Sequence, residues 1–339
     1  MTFEIKTPSS GLSYNDRVLI FDGLNHFIRS FAAVPVQNED GEHVGGLYGF
    51  VSSMATIAKR LQPTRIILVF DGKGSTKQRK AIYEDYKSNR AVRDTLNRTK
   101  GFENTQDESE AMKRQFKRLY EYLLLLPVDI LLFDGTEADD IISYVTTKLD
   151  NEVYICSTDK DFYQLITDRI KVYNPVKKEI VDKNIVLERF KTSPQNFVYY
   201  KSLMGDGSDN IPGITGVGPK TIEKDLPELQ SETRLTPKDF SNLLNEKSTT
   251  KTKKILDNLD TLDRNYKLMQ LHEPLVNGKM KLEINDVLSQ DLANYNRFLL
   301  RKLFREDKIN PDKIMSKDDI FTQLSIIYRN YKQAKWVIT

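Results

Sequence analysis

Short apolar runs alternate with helical periodicity through the first half of the chain. Val18 to Phe21, Ile66 to Phe70, Val128 with Ile130 to Phe133, and Val153 to Ile155 are of the length and continuity expected of strands buried on both faces. The first two end in the same way, at Asp22-Gly23 and Asp71-Gly72. Between the runs, Leu47 to Leu61 and Glu110 to Leu126 read as helices, and Ala138, Ile141, Ile142, Val145 and Leu149 recur at helical spacing. Gly45, Gly46 and Gly49 permit close backbone approach at the start of one of them. Strand, helix and strand in this rhythm predict an α/β fold with a doubly wound, mainly parallel sheet. After Tyr173 the composition predicts helices, among them Ile255 to Leu271 and Leu299 to Arg305.

The polar positions then matter. Glu137, Asp139 and Asp140 lie off the apolar stripe in a first helical turn, and Asp159 and Asp161 follow a strand, so all five gather where an open parallel sheet places its sites. Any one of them has a plain structural reading as a helix-dipole or turn-capping residue, and Asp134 before Gly135 is given that turn role. Together they would repel one another unless cations neutralise them. Oxygen ligands with no Cys or His between them suit Mg²⁺ or Mn²⁺. Further on, Asp206 and Asp209 can join the cluster, and the glycine-rich hairpin Gly213 to Gly218 opens a helix whose amides are suited to a DNA phosphate. A nucleotide-triphosphate loop is rejected there, because Pro219 displaces Lys220 from the required place.

Composition bounds the rest. The 339 residues are long enough for two domains, and 39% hydrophobic with 29% charged residues fits a globular protein. The net charge of +3 says little, but its distribution says more. From Lys73 to Lys100 bases dominate, including Arg79, Lys87, Arg90, Arg93 and Arg98, with Tyr83 and Tyr86 interleaved, as suits phosphate contact and base stacking; a solvated basic helix is the competing reading. Residues Asn97 to Ser109 are polar and suggest an arch over the site. The lone Cys156 reads as a core residue of a reducing, cytoplasmic compartment, and three histidines leave little room for a zinc site, with His26 read as structural. No secretion signal or membrane span is expected, Ile320 to Trp336 is apolar enough to pack or to meet a partner, and no internal repeat is found.

The motifs Phe21-Asp22-Gly23, Val69 to Gly72, Arg79 through Tyr86-Lys87 to Arg90, Glu137 to Asp140, Ser157 to Asp161, and Gly205-Asp206 through Asp209 to Gly213 resemble, in order, those of the structure-specific 5′-nucleases. That family comprises flap endonucleases, the amino-terminal nuclease domain of bacterial DNA polymerase I and phage 5′-exonucleases, including T-even-type phage ribonuclease H. The resemblance implies a PIN-like core with a helical arch, and a helical domain holding a helix-three-turn-helix. On this chain it implies a nuclease domain over 1–180 with the arch at about 73–118, and a helical domain over 181–339 with the helix-three-turn-helix at about 199–225. It assigns Asp22, Asp71, Glu137, Asp139, Asp140, Asp159, Asp161, Asp206 and Asp209 to a site for two Mg²⁺ ions, with Mn²⁺ as a substitute. Lys87 and Arg90 would reach the scissile phosphate. Arg79, Tyr83, Tyr86, Lys201, Gly213, Gly216, Gly218, Lys220 and Thr221 would contact nucleic acid, and K⁺ would sit on the hairpin carbonyls.

The expected activity is 5′ to 3′ exonuclease and flap endonuclease hydrolysis, with ribonuclease H activity, of RNA primers or 5′ flaps on duplex DNA during replication and repair. Length and the lack of a polymerase domain fit a standalone monomer, bacteriophage-encoded and acting in the host cytoplasm beside replication proteins such as a single-strand-binding protein. The competing expectations are a non-catalytic branched-DNA-binding protein and a small endoribonuclease. The full set of acids disfavours the first, since a binding module gains little from negative charge beside a phosphate.

Overall fold

In the computed structural model, residues 17–91, 102–310 and 320–333 are described; Arg93, Arg98, Lys100, Trp336 and the start of the chain, on which sequence readings fall, lie outside them. Five strands run parallel: β1 (Arg17–Asp22), β2 (Arg65–Asp71), β3 (Asp129–Phe133), β4 (Glu152–Cys156) and β5 (Ile170–Asn174). An antiparallel strand, β6 (Glu179–Val181), closes one edge, giving the order β3-β2-β1-β4-β5-β6. The chain steps from β1 outward to β3, then returns to the other side of β1, so the order reverses between β1 and β4. A crevice opens at such a point, outside the carboxyl ends of the strands. The apolar runs fill the centre of this sheet, as their continuity requires. Tyr173 itself lies in β5, and after it the chain adds only β6 to the sheet before the helices that the composition predicts begin at Lys183.

Alternate residues of β1 face opposite layers. Leu19 and Phe21 join a core with α1 (Gly23–Ala33), α2 (Gly45–Leu61) and α4 (Thr105–Leu123), while Val18 and Ile20 meet α5 (Ala138–Thr146). Between β2 and α4 lies the short α3 (Lys77–Ile82). His26 packs edge-on against Phe21 and Phe50 at 5.0 and 4.9 Å, and burial pushes its pKa down to about 4, so it is a neutral packing ring as read from sequence. Gly45 lies so close to Val34 that a Cβ would stand 2.0 Å from its carbonyl oxygen. Part of the stretch 73–118, expected as an arch, belongs to a core helix. Asn104 caps α4 by accepting from the Gln106 and Asp107 amides, and from there Ala111, Leu119, Tyr122 and Leu123 are buried against the nuclease layer.

A second body follows α6 (Lys183–Phe190). It comprises α7 (Phe197–Met204), a two-residue ribbon of β7 (Gly205–Asp206) with β8 (Ile211–Pro212), α8 (Pro219–Asp225), α9 (Pro237–Glu246), α10 (Thr250–Leu256) and α11 (Leu259–Met269), around a core of its own. The last helices do not extend it. From α12 (Gly278–Ser289), Ile284 and Leu288 pack under the sheet, and from α13 (Arg297–Glu306) and α14 (Ile320–Gln333), Leu300, Phe304, Phe321, Leu324 and Ile327 join the core of α2 and α4. Arg118 of α4 fixes the end of α13 by ion pairs to Glu306 and Asp307 at 2.9 and 2.8 Å. Among the described residues no helix is long and apolar enough to cross a membrane.

One buried pair ties these layers. Arg65 of β2 is fully buried, holds Asp129 of β3 at 2.6 Å, and donates to the Val287 and Gln290 carbonyls at the end of α12 at 3.1 and 3.2 Å. Removing one partner strands a buried charge. Asp129→Ala is therefore expected to destabilise the fold by about 3–5 kcal/mol, measured by urea unfolding; a loss within about 0.5 kcal/mol, as at an ordinary surface site, would refute this.

Candidate active site

The crevice between β1 and β4 is a cleft of about 630 Å³, and acids from five separate segments reach it or its rim. Asp22 ends β1 and caps α1, accepting from the Asn25 amide at 3.3 Å. Ser157, just after β4, donates to Asp22 at 2.9 Å and accepts from the Asp159 amide at 3.0 Å, so one hydroxyl spaces two acids. Asp71 ends β2 and accepts from the Ala138 amide at 2.8 Å, which seats the first turn of α5 and with it Asp139. Asp22, Asp71, Asp139 and Asp159 line the cleft, and no ion pair reaches any of them among the described residues. Burial, reinforced by Asp71 and Asp159, pushes Asp22 up to about 7. Asp71 is raised by burial against the pull of the Ala138 amide and Lys87, and Asp139 is raised by burial together with Asp159 and Asp22.

The remaining acids stand behind this centre, each with a cation. Lys201 holds Asp161 at 2.9 Å and also pairs with Asp206. Burial works against ionisation of Asp206, yet Lys201 and the Ser208 donors outweigh it and hold its pKa at about 2. Glu137 accepts from Arg79 at 2.7 Å, Lys87 at 2.8 Å and the Tyr86 hydroxyl at 3.1 Å. Asp209 pairs with Arg90 and lies 3.8 Å from Lys87.

Four hard carboxylates meet at the centre, and Asp22, Asp71 and Asp139 are raised by burial first and by neighbouring acids second, a donor set suited to divalent cations. They line the cleft openly: among the described residues no three acids are drawn together around a point that would hold an ion by themselves.

A model of the 5′-3′ exonuclease N-terminal resolvase-like domain matches residues 17–191, and one of the 5′-3′ exonuclease C-terminal SAM fold matches 192–292. The chain belongs to the 5′-3′ exonuclease family. Its relatives include a 5′-3′ exonuclease of Aquifex aeolicus, 35% identical over 206 residues, an alignment covering 60% of this chain and 66% of that protein. The thermostable DNA polymerase I of Thermus thermophilus is 32% identical over 216 residues, covering 62% of this chain and 24% of the polymerase. The chain thus spans just under two thirds of the first relative and about a quarter of the second. Among solved structures, a flap endonuclease of bacteriophage T5 in complex with DNA and metal ions aligns with a TM-score of 0.61 at 21% identity, over 86% of this chain and 97% of that one, a likeness of fold.

Several site expectations carried by the family resemblance need correction in the structure. Asp140 faces away from the cleft: one oxygen accepts from Arg79 at 2.7 Å and the other from the Leu275 amide at 2.9 Å. Arg79 is itself 3% exposed and donates to the Leu268 carbonyl, so it clamps Glu137 and Asp140 to α11 and is not open to DNA. Tyr86 is buried against Ile211, Leu268 and Met269, and Arg264 covers the Tyr83 ring at 4.5 Å, so neither ring is open to stack on a base as expected. Gly213 is glycine for packing, since a Cβ would stand 2.3 Å from the Met204 carbonyl oxygen. Thr221 is buried and accepts from the Gly218 amide, capping its own short helix. That helix offers few amides: Pro219 has none, and those of Thr221 and Ile222 both donate to the Gly218 carbonyl. Gly216, Gly218 and Lys220 remain at the surface or close to it, with the Lys251 ammonium 2.8 Å from the Gly216 carbonyl oxygen. Asp134 takes the turn role expected of it, accepting from the Lys73 amide at 2.9 Å.

Asn25, Arg29, Lys160, Phe190 and Tyr200 also line the cleft, a place no role read from the sequence gave them. Asn25 and Arg29 follow Asp22 at helical spacing, a signal that was present; Phe190 and Tyr200 carried none.

The charge crowding has a measurable sign. Native Asp22 keeps its proton up to about pH 7, whereas in the unfolded chain it ionises near 3.8, so its stabilising contribution is present at low pH and lost as pH rises through about 7. A divalent ion that binds only the folded state reverses that loss. The rise in melting temperature on adding Mg²⁺ is expected to grow between about pH 5 and about pH 8, and Asp22→Asn is expected to flatten that trend. A rise independent of pH in the unaltered protein would refute the assignment.

Proposed function

We propose that this protein is a Mg²⁺-dependent, structure-specific 5′ to 3′ nuclease that hydrolyses RNA primers or 5′ flaps on duplex DNA during replication, with Mn²⁺ able to substitute. The observation that carries the reading is the centre of Asp22, Asp71, Asp139 and Asp159, which has no ion-pair partner among the described residues and is rimmed by Lys87, Arg90 and Lys201. Negative charge concentrated beside a phosphate serves hydrolysis and would oppose mere binding.

In this proposal those four acids hold the ions, with Asp161, Asp206 and Asp209 behind them. Bound divalent ions supply a water of lowered pKa and charge at the leaving oxygen. The chain's own residues do the rest. Lys87 and Arg90 present positive charge where the phosphate becomes more negative in the transition state. Both are held on acids, Lys87 on Glu137 and Arg90 on Asp209, so a phosphate entering the cleft competes for bases that are already in place. Lys87 has a left-handed backbone (φ 57°), a conformation costing on the order of 1 kcal/mol, and its amide donates to the Asp209 carbonyl at 2.8 Å, which secures it. Duplex on the far side of the junction would lie along the Gly213 to Gly218 hairpin, where Lys220, Lys251 and a K⁺ ion on the hairpin carbonyls would face the backbone.

The test is a labelled duplex bearing either a 5′ DNA flap or an RNA primer, incubated with Mg²⁺ or with chelator. Cutting near the junction is expected only with metal. Asp159→Ala is expected to lower the single-turnover rate by at least about 10²-fold while retaining most of the duplex affinity, and Lys87→Ala to lower the rate more than the affinity. Normal turnover by Asp159→Ala would sink the metal assignment, and binding without cutting by the unaltered protein would favour a non-catalytic branched-DNA-binding role.

A further inference from the structure

The cleft has a wall for which hydrolysis by the acids gives no use. Phe190, at the end of α6, and Tyr200, on α7, are half-buried and line it, with the exposed Lys160 beside them. Their positions are fixed from behind. Phe197 is stacked on Tyr200 at 5.3 Å and 9°, and the Phe190 ring meets Phe197 and Tyr200 edge-on at 5.1 and 5.2 Å. The Lys160 ammonium lies 6.0 Å from the centre of the Phe190 ring. Asn25 and Arg29 of α1 also line the cleft, both in contact with the Thr158 hydroxyl at 3.2 and 3.5 Å.

A strand whose phosphate sits over the acids would therefore meet aromatic rings held in place from behind and polar groups within the same cleft. Packing accounts for Phe197, which is fully buried. Phe190 and Tyr200 are packed against the sheet core and still leave part of each ring at the cleft surface, beside the exposed Lys160, where apolar area stays in contact with water. Aromatic rings with an adjacent cation are the chemistry that holds an unstacked nucleobase and its phosphate without reading its identity. The rings that the sequence offered for stacking, Tyr83 and Tyr86, are covered by Arg264 and buried, which leaves this wall as the aromatic surface lining the cleft.

We propose that Phe190, Tyr200 and Lys160 form a base-holding subsite for the nucleotide next to the scissile phosphate. The proposal rests on the nuclease reading above and deepens it. The subsite selects a nucleotide whose base can leave the helical stack, as at a junction or a frayed end, and tolerates any of the bases.

The test uses the full chain with Mg²⁺ and a set of 5′-flap duplexes that differ only in one abasic nucleotide, placed in turn at each position around the cut. The unaltered protein is expected to lose about tenfold in single-turnover rate at one position beside the cut. Phe190→Leu, Tyr200→Leu and Lys160→Ala are expected to be slower on the intact flap and to show little further loss at that abasic position; Tyr200→Phe, which keeps the ring, is expected to retain the unaltered pattern. Because Lys160 is exposed, its variant separates the subsite from a folding defect. Indifference of the unaltered protein to every abasic position would overturn the proposal, as would variants that lose the same factor on every substrate. If the nuclease reading itself fails, the unaltered protein does not cut the intact flap, an outcome distinct from either.

Discussion

Everything around the cleft answers to one electrostatic constraint, the gathering of nine carboxylates at the carboxyl end of one sheet and beside it. Five of them are neutralised by fixed bases: Glu137 and Asp140 by Arg79, Glu137 again by Lys87, Asp161 and Asp206 by Lys201, and Asp209 by Arg90. Among the described residues the four at the centre have no such base, and burial with mutual repulsion raises Asp22, Asp71 and Asp139 above the ordinary carboxylate range. A centre built in this way is costly without cations and gains affinity for them by the same measure. The rim bases thereby do two things, since they hold the outer acids in place and leave a positive border around a negative floor.

The border exists because two distant segments are laced together. The Lys87 amide donates to the Asp209 carbonyl, Asn89 donates to the Gly207 carbonyl at 2.8 Å, and Asn210 donates to the Asp85 carbonyl and the Ser88 hydroxyl at 3.0 and 2.9 Å. The segment from Asp85 to Asn89 and the ribbon loop after α7 are thus one structural unit. Arg79 anchors that unit below, joining α3 to α5 and to the last turn of α11. Leaving any of these groups buried without its partner would cost more than the bond itself contributes, which is how a basic segment comes to be held beside acids.

The last helices serve the nuclease layer more than the helical body. Leu300, Phe304, Phe321, Leu324 and Ile327 complete the core beneath α2 and α4, and Arg65 draws the end of α12 onto β2. Each such side chain, fully buried, contributes roughly 1.5–3 kcal/mol, so the carboxy-terminal third supports the strands whose ends carry Asp22 and Asp71.

The sequence by itself determined the strands and the acids. Runs such as Val18 to Phe21 are too continuously apolar to be stable anywhere but the middle of a covered sheet, and an acid after such a strand has to emerge at its carboxyl end. The concentration of Asp22, Asp71, Asp139 and Asp159 at one edge followed from that. What the tertiary structure alone decided was which polar groups face the cleft and which face each other. Asp139 and Asp140 are adjacent in one helical turn, about 100° apart around the axis, and only the packing of α3 and α11 turns the second toward Arg79. Arg79 and Arg90 look alike in a basic run, yet one is buried and the other lies at the rim. That Phe190 and Tyr200 line the same cleft as Asp22 and Asp71 depends on packing between segments far apart in the chain, and no local pattern of residues encodes it.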